Sequence, residues 1–103
     1  KRFNNKKIVI WGAGHQSLTI ISLSEIANNI SYIVDSAIFK QNKYTPGTNI
    51  IIKSPKQLEI NKPDVIIIIA AGYSNEVKEI ILKEYAFIKN IVIVREDHLE
   101  IVK

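Results

Sequence analysis

The sequence predicts an α/β domain of three layers with a mostly parallel sheet of about four to five strands. Three short runs carry the first observation, at residues 8–11, 65–70 and 91–94, because each is continuously apolar and rich in β-branched residues. Strands that are covered on both faces by helices have this composition. Helix-like segments lie between the runs, and strands alternating with helices indicate right-handed crossovers and a doubly wound, Rossmann-like sheet.

The first half of the chain contains a strand, a helix, a second strand and a short edge strand. After the strand at residues 8–11, a helix over residues 16–28 is predicted to end at Asn28, since Asn tolerates the left-handed conformation. A second strand over residues 31–34 ends at Asp35, and residues 50–52 form the edge strand. The apolar face of the helix comprises Leu18, Ile21, Ile26 and Ala27.

The second half contains a short helix, the strand at 65–70, a longer helix and the strand at 91–94. The short helix is predicted to begin around Ser54, Pro55 and Gln57, which provide a capping hydroxyl, a residue suited to the first helical position and a capping-box partner. The longer helix covers residues 75–86 and buries one side. That apolar side comprises Val77, Ile80, Ile81 and Tyr85.

Length and composition limit the class of protein. The 103 residues fit a single domain over residues 1–103, and the absence of methionine even at the first position predicts a piece of a longer chain. With no cysteine, disulfides and thiolate metal sites are excluded, which is compatible with a cytoplasmic location. No run approaches the ~20 apolar residues of a membrane span.

The charge pattern argues against a nucleic-acid partner. The formal net charge is +4, from 14 Lys and Arg against 10 Asp and Glu. The lysines are scattered along the chain, and Arg2 and Arg95 are the two arginines. Proteins that read nucleic acids concentrate their positive charge and use arginine for phosphate and base contacts. The sequence therefore predicts neither a nucleic-acid nor a membrane partner.

A glycine turn follows the first strand and opens the first helix. Glycine permits a tight turn and lets a phosphate approach the backbone N–H groups at a helix start. Asp35 lies about 20 residues further on, where an acidic residue can meet a ribose hydroxyl, although Ser17 replaces the third glycine of the dinucleotide fingerprint. Alternatively, the glycines only permit the turn and Asp35 is a solvated strand end. The candidate binding residues are Gly12, Ala13, Gly14, His15 and Gln16.

Two further segments leave the carboxyl ends of strands, where open α/β sheets bind ligands. In the long loop over residues 36–49, Lys40 and Lys43 could meet phosphate and Tyr44 could stack on a base, or the loop could be a packed surface loop with solvated lysines. In the segment after residue 70, small residues could admit a ligand, whereas Glu76 is equally explained as a helix-start residue. The remaining candidates are Pro46, Gly47, Thr48, Ala71, Gly72, Tyr73 and Asn75.

Neither a metal site nor a catalytic group stands out. His15 and His98 are far apart in the sequence, and no cysteine accompanies them. Ser17 and Ser74 have no His and Asp partners placed by a motif, so nucleophilic catalysis has no support. We predict no catalytic residue and no metal ligand in this chain.

In this order, the three segments resemble the C-terminal domain of the sugar C-methyltransferase family. The resemblance covers about residues 7–94, and its most specific part is the loop with Lys40, Tyr44 and Pro46, Gly47 and Thr48. This chain departs from the family where Gln16 and Ser17 stand near a usual lysine, and where Ala71 and Gly72 replace Trp-Asn. The other matching stretches are residues 11–14, 69–70 and 75–76.

The resemblance implies a substrate-binding domain that holds a nucleotide-diphosphate sugar and is not catalytic alone. It also implies that S-adenosylmethionine and the catalytic base belong to a separate preceding domain of the same chain, with no cofactor in this one. Three alternatives remain open. They are an NAD(P)- or S-adenosylmethionine-binding Rossmann domain, the nucleotide-sugar-binding domain of a sugar N-acyltransferase, and a structural module with a vestigial site.

Overall fold

In a computed structural model that describes residues 6–23 and 27–103, six strands form one sheet. The strands are β1 (Ile8–Trp11), β2 (Ile30–Val34), β3 (Ile52–Lys53), β4 (Val65–Ile68), β5 (Asn90–Val94) and β6 (Leu99–Ile101). Their spatial order is β3-β2-β1-β4-β5-β6. All neighbouring pairs are parallel except β5 and β6, which are antiparallel. The predicted α/β class with a mostly parallel sheet is confirmed.

Helices cover both faces of the sheet and create two hydrophobic cores. The helices are α1 (His15–Leu23), α2 (Gln57–Ile60) and α3 (Ser74–Glu84). On one face, Leu58 of α2 and Ile81 of α3 share a core with Val9 and Ile66. On the other face, Ile21 of α1 belongs to the core that contains Ile10, Ile33 and Val65. Burial of the central strands on both faces explains why their sequences are continuously apolar.

The sheet contains one strand more than the four to five predicted. The additional strand, β6, pairs with β5 at the edge, and its Leu99 and Ile101 are exposed. Because only three residues form it and two of them are exposed, it lacks the apolar run that marks the other strands. The predicted edge strand at residues 50–52 is shifted to Ile52–Lys53, and Ile51 just before it forms an antiparallel bridge with Tyr44.

Helix boundaries differ from the predicted ones at three places. Helix α1 is described to Leu23, and a short 3₁₀ turn follows at Ala27–Asn29, whereas Ile26 lies outside the described residues. Helix α2 begins at Gln57 without a side-chain cap, so the proposed Ser54 cap is wrong. The backbone carbonyl of Ser54 instead accepts a hydrogen bond from Gln57 N–H at 3.0 Å. Helix α3 ends at Glu84.

The apolar side of α3 is narrower than predicted. Val77 and Ile81 are buried, and so is Tyr85 just after the helix, but Ile80 is 38% exposed. Ile80 precedes Ile81 by one residue and therefore points about 100° away from it around the helix. No helix in the described part of the chain is long and apolar enough to span a membrane.

Candidate functional site

A cavity of about 500 Å³ lies at the carboxyl ends of β1, β2 and β4. The chain leaves β1 towards β2 on one side, whereas it leaves β4 towards β5 on the other. This reversal of direction between β1 and β4 opens a crevice, and open α/β sheets bind ligands in that crevice. The predicted site residues that line the cavity are Gly12, Gly14, His15, Gln16, Asp35, Lys40, Ala71 and Tyr73.

The second half of the long loop does not line the cavity. The loop turns back along the edge strand, where Asn42 N–H donates to Ile52 O at 2.6 Å and Ile52 N–H donates to Lys43 O at 2.8 Å. Thr45 is buried, and its hydroxyl accepts a hydrogen bond from Ile50 N–H at 2.9 Å. The predicted residues outside the lining in this loop are Lys43, Tyr44, Pro46, Gly47 and Thr48.

Four more predicted residues lie beside the cavity without lining it: Ala13, Gly72, Asn75 and Glu76. Ala13 is buried in the core of the α1 face. The side chain of Asn75 accepts a hydrogen bond from Arg95 Nη2 at 2.6 Å, which ties the start of α3 to the end of β5. Binding roles for these residues stay predictions.

The two glycines of the turn serve different purposes. Gly12 has φ +127°, and a Cβ built on it would lie 2.1 Å from the carbonyl oxygen of Ile69. The fold itself therefore requires glycine at position 12. A Cβ on Gly14 would meet no heavy atom of the described chain within 4 Å, and Gly14 lines the cavity. Its missing side chain leaves room beside the start of α1 for a ligand.

Asp35 joins the glycine turn to the long loop. Its Oδ2 accepts a hydrogen bond from Ala13 N–H at 2.8 Å, and its Oδ1 accepts one from Ala37 N–H at 2.8 Å. The ammonium nitrogen of Lys40 lies 3.8 Å from Oδ2. The carboxylate thus holds both segments in place and carries its own counter-charge, while its predicted contact with a ribose hydroxyl stays a prediction.

The first turn of α1 faces the cavity with unused backbone donors. The first α-helical hydrogen bond runs from Leu18 N–H to Gly14 O at 3.0 Å. The N–H groups of His15, Gln16 and Ser17 precede it, and such groups have no partner within a helix. The first turn of α1 contains no acidic residue. The positive end of its dipole is therefore not neutralised from within the helix.

Comparison with known proteins decides the family. Residues 1–94 match the family model of the C-methyltransferase C-terminal domain. The chain belongs to this family. The match extends through all three segments of the cavity, and it confirms the resemblance found in the sequence over residues 7–94.

Solved structures show the fold of this C-methyltransferase C-terminal domain but not its ligand. One similar structure is UDP-D-quinovosamine 4-dehydrogenase from Vibrio fischeri, with a TM-score of 0.71 and 17% sequence identity. The alignment covers 95% of this chain and 93% of that chain. At this identity the likeness supports the Rossmann-like fold alone. No curated protein matches the chain in sequence.

An exposed aromatic residue stands at the cavity of this C-methyltransferase C-terminal domain. Tyr73 lines the cavity and is 70% exposed. Phe39 is also exposed, and Lys40 Nζ lies 5.7 Å from the centre of its ring. The sequence assigned base stacking to Tyr44, but Tyr73 is the tyrosine that the cavity lining includes. The sequence signal for Tyr73 was its position directly before α3, within a turn of small residues.

Sequence reasoning also missed cavity residues that carry no motif. Ser17 was not among the predicted binding residues, yet it is buried and lines the cavity. The other additions are Trp11, Ser36, Ile69, Ala70 and Val77. Among the described residues, no group of three or more His, Cys, Asp or Glu side chains could hold a metal ion. His98 is exposed and contacts Asp97 Oδ1 at 2.6 Å, away from the cavity lining.

Proposed function

We propose that this domain binds the nucleotide-diphosphate part of a nucleotide-sugar in the cavity at the carboxyl ends of β1, β2 and β4. The single observation that carries the proposal is that the topological switch point holds a cavity built from the glycine turn, Lys40 and Tyr73. Its volume of about 500 Å³ falls within the range of small-molecule sites.

The chemistry of the lining suits a nucleoside diphosphate. The first turn of α1 offers N–H groups and a positive dipole end to phosphate. Lys40 adds a cation beside them, and Tyr73 adds an exposed ring on which a base can stack. Gly14 leaves the space that such a ligand requires at the helix start.

The same lining supports a binding role without catalysis by this domain alone. The ionisable side chains in it are His15, Asp35, Lys40 and Tyr73. Both carboxylate oxygens of Asp35 already accept backbone hydrogen bonds, so this carboxylate has a structural role in the domain. We therefore propose that a preceding S-adenosylmethionine-binding domain of the same chain, in the cytoplasm, performs the sugar C-methylation. This domain would contribute by holding the sugar close to the methyl donor.

Isothermal titration of the 103-residue chain tests the proposal. The panel contains UDP- and dTDP-sugars, S-adenosylmethionine and NAD(P). Selective binding of a nucleotide-sugar is the expected result and would identify the base. Preference for S-adenosylmethionine or NAD(P) would overturn the proposal in favour of a cofactor domain.

A variant at the helix start locates the binding site. Gly14→Val fills the space beside α1 and is expected to abolish nucleotide-sugar binding. Its thermal unfolding should stay close to that of the parent, because a Cβ at this position meets no neighbouring atom. If Gly14→Val folds and binds as tightly as the parent, the ligand does not occupy this cavity.

A further inference from the structure

Two buried serines in the described chain have hydroxyl groups that hydrogen-bond nothing in the protein. They are Ser17 in the first turn of α1 and Ser74 at the first position of α3, each 1% exposed. Buried polar groups are nearly always paired, so each exception calls for a cause. A hydroxyl that the fold leaves unpaired can be satisfied by a ligand if it reaches the binding site.

The cavity lining distinguishes these two serines. Ser17 lines the cavity, whereas Ser74 is absent from its lining. The Ser17 hydroxyl stands in the same helical turn as the backbone N–H groups of His15 and Gln16, which precede the first α-helical hydrogen bond. A buried hydroxyl and free backbone N–H groups therefore share a helical turn that borders the cavity, at the positive end of the helix dipole.

The contrast with α3 strengthens the assignment of an external anion to α1. Helix α3 has Glu76 in its first turn, so a carboxylate of the chain faces its positive end. The first turn of α1 has no acidic residue, and Gly14 has no side chain with which to cap it. The carboxylate of Asp35 lies near this end of α1, but its backbone donors are Ala13 and Ala37 and not the N–H groups of the first turn.

We infer that the Ser17 hydroxyl and the first-turn N–H groups of α1 bind one phosphate of a diphosphate ester. The identity of the ester rests on the proposed function. The hydroxyl donates a hydrogen bond to a phosphate oxygen, and no covalent bond is made or broken. Lys40 stands 3.8 Å from Asp35 Oδ2 and offsets the carboxylate charge, so the cavity does not repel the incoming phosphate.

Matched serine variants test the inference. Ser17→Ala and Ser74→Ala each remove a buried hydroxyl that has no partner in the fold. Both chains are therefore expected to fold and to unfold at a temperature equal to or above that of the parent. Ser17→Cys provides a second change at the site, since the thiol has a volume close to that of the hydroxyl but is a weaker hydrogen-bond donor.

The readout is an NMR titration of the ¹⁵N-labelled chain with inorganic pyrophosphate, followed by a UDP- or dTDP-sugar and NAD. In the parent, the amide signals of residues 14–17 should shift saturably with pyrophosphate. Ser17→Ala should weaken binding of pyrophosphate and of the nucleotide-sugar about tenfold or more, because hydrogen bonds to charged groups are the strong ones. Ser17→Cys should fall between it and the parent, and Ser74→Ala should bind as the parent does.

The outcomes separate this inference from the proposed function. If Ser17→Ala binds a nucleotide-sugar as tightly as the parent, the Ser17 phosphate site is wrong and the proposed function survives. A second outcome is that pyrophosphate and NAD bind the parent, that Ser17→Ala weakens both, and that no nucleotide-sugar binds. This outcome supports the phosphate site and overturns the proposed function. If pyrophosphate does not shift the signals of residues 14–17 in the parent, the phosphate site is overturned directly.

Discussion

Asp35 Oδ2 accepts a hydrogen bond from the backbone N–H of Ala13 at 2.8 Å, across 22 residues of sequence. Ala13 lies between the two glycines of the turn, and Asp35 directly follows β2, so this bond fixes the turn to the end of the neighbouring strand. The other carboxylate oxygen holds Ala37 N–H at the start of the long loop. One side chain therefore sets the relative positions of two walls of the cavity before any ligand binds.

We expect Asp35→Ala to lower the free energy of unfolding by about 2–3 kcal/mol, since two backbone donors lose a charged acceptor. Asp35→Asn should cost less, because the amide oxygen can still accept one of the two hydrogen bonds. Urea denaturation measures both. The exposed Asp97 provides the control, and Asp97→Ala should leave the stability almost unchanged. An Asp35→Ala chain as stable as the parent would show that these bonds do not organise the turn.

The sequence predicted the parts of the fold that depend on local composition. Strands β1, β4 and β5 are buried on both faces, so their apolar runs identified them directly. Strand β6 escaped detection because Leu99 and Ile101 are exposed and the strand depends on pairing with β5. A strand of three residues that depends on pairing with another strand shows no hydrophobic periodicity of its own.

The site was predicted less completely, for a similar reason. Lys40 and Lys43 belong to the same loop and are equivalent by spacing, but Lys40 alone lines the cavity. The difference arises because residues 42–45 pair with residues 50–52 through backbone hydrogen bonds and the Tyr44–Ile51 bridge. These backbone contacts decide where the side chains of the segment lie, and the spacing of residues in the sequence does not reveal them.

The glycine turn allows a paired prediction on stability. Gly12→Ala should destabilise the chain by about 3 kcal/mol or more, because it adds strain at positive φ to a clash with the Ile69 carbonyl. Gly14→Ala should change stability by less than about 1 kcal/mol, since its Cβ enters open space and Ala is only a poorer helix cap. Thermal unfolding followed by circular dichroism compares the two variants. Equal losses would contradict the assignment of Gly12 to the fold and Gly14 to the cavity.

Lys40 should contribute to ligand binding through its charge. We expect Lys40→Ala to weaken nucleotide-sugar binding about two- to fivefold, the range for a partly exposed ion pair. Raising the salt concentration should reduce the difference between variant and parent. Lys89→Ala makes the same change in net charge just before β5, at the amino end of the parallel strands, and should bind as the parent does in calorimetry. If both lysine variants weaken binding equally, the effect comes from net charge and not from the cavity.

Tyr32 provides a test of the core beneath α2 at alkaline pH. Its hydroxyl donates to Asn61 O at 2.6 Å, and burial raises the pKa of Tyr32 from 10.0 to about 12. The folded chain therefore keeps this proton between pH 10 and 12 while the unfolded chain loses it, so stability is full below pH 10 and falls as the pH rises towards 12.

We expect Tyr32→Phe to lower stability at pH 7 by about 1 kcal/mol through the lost hydrogen bond. The same substitution should make the decline above pH 10 shallower, by at most about 1.4 kcal/mol per pH unit. Burial also raises the pKa of Tyr85, with Glu59 and Glu84 adding to the shift, so some decline should remain in the variant. Urea denaturation at pH 7, 10 and 11 measures these differences. An unchanged alkaline slope in Tyr32→Phe would mean that the Tyr32 hydroxyl is not desolvated in the folded chain.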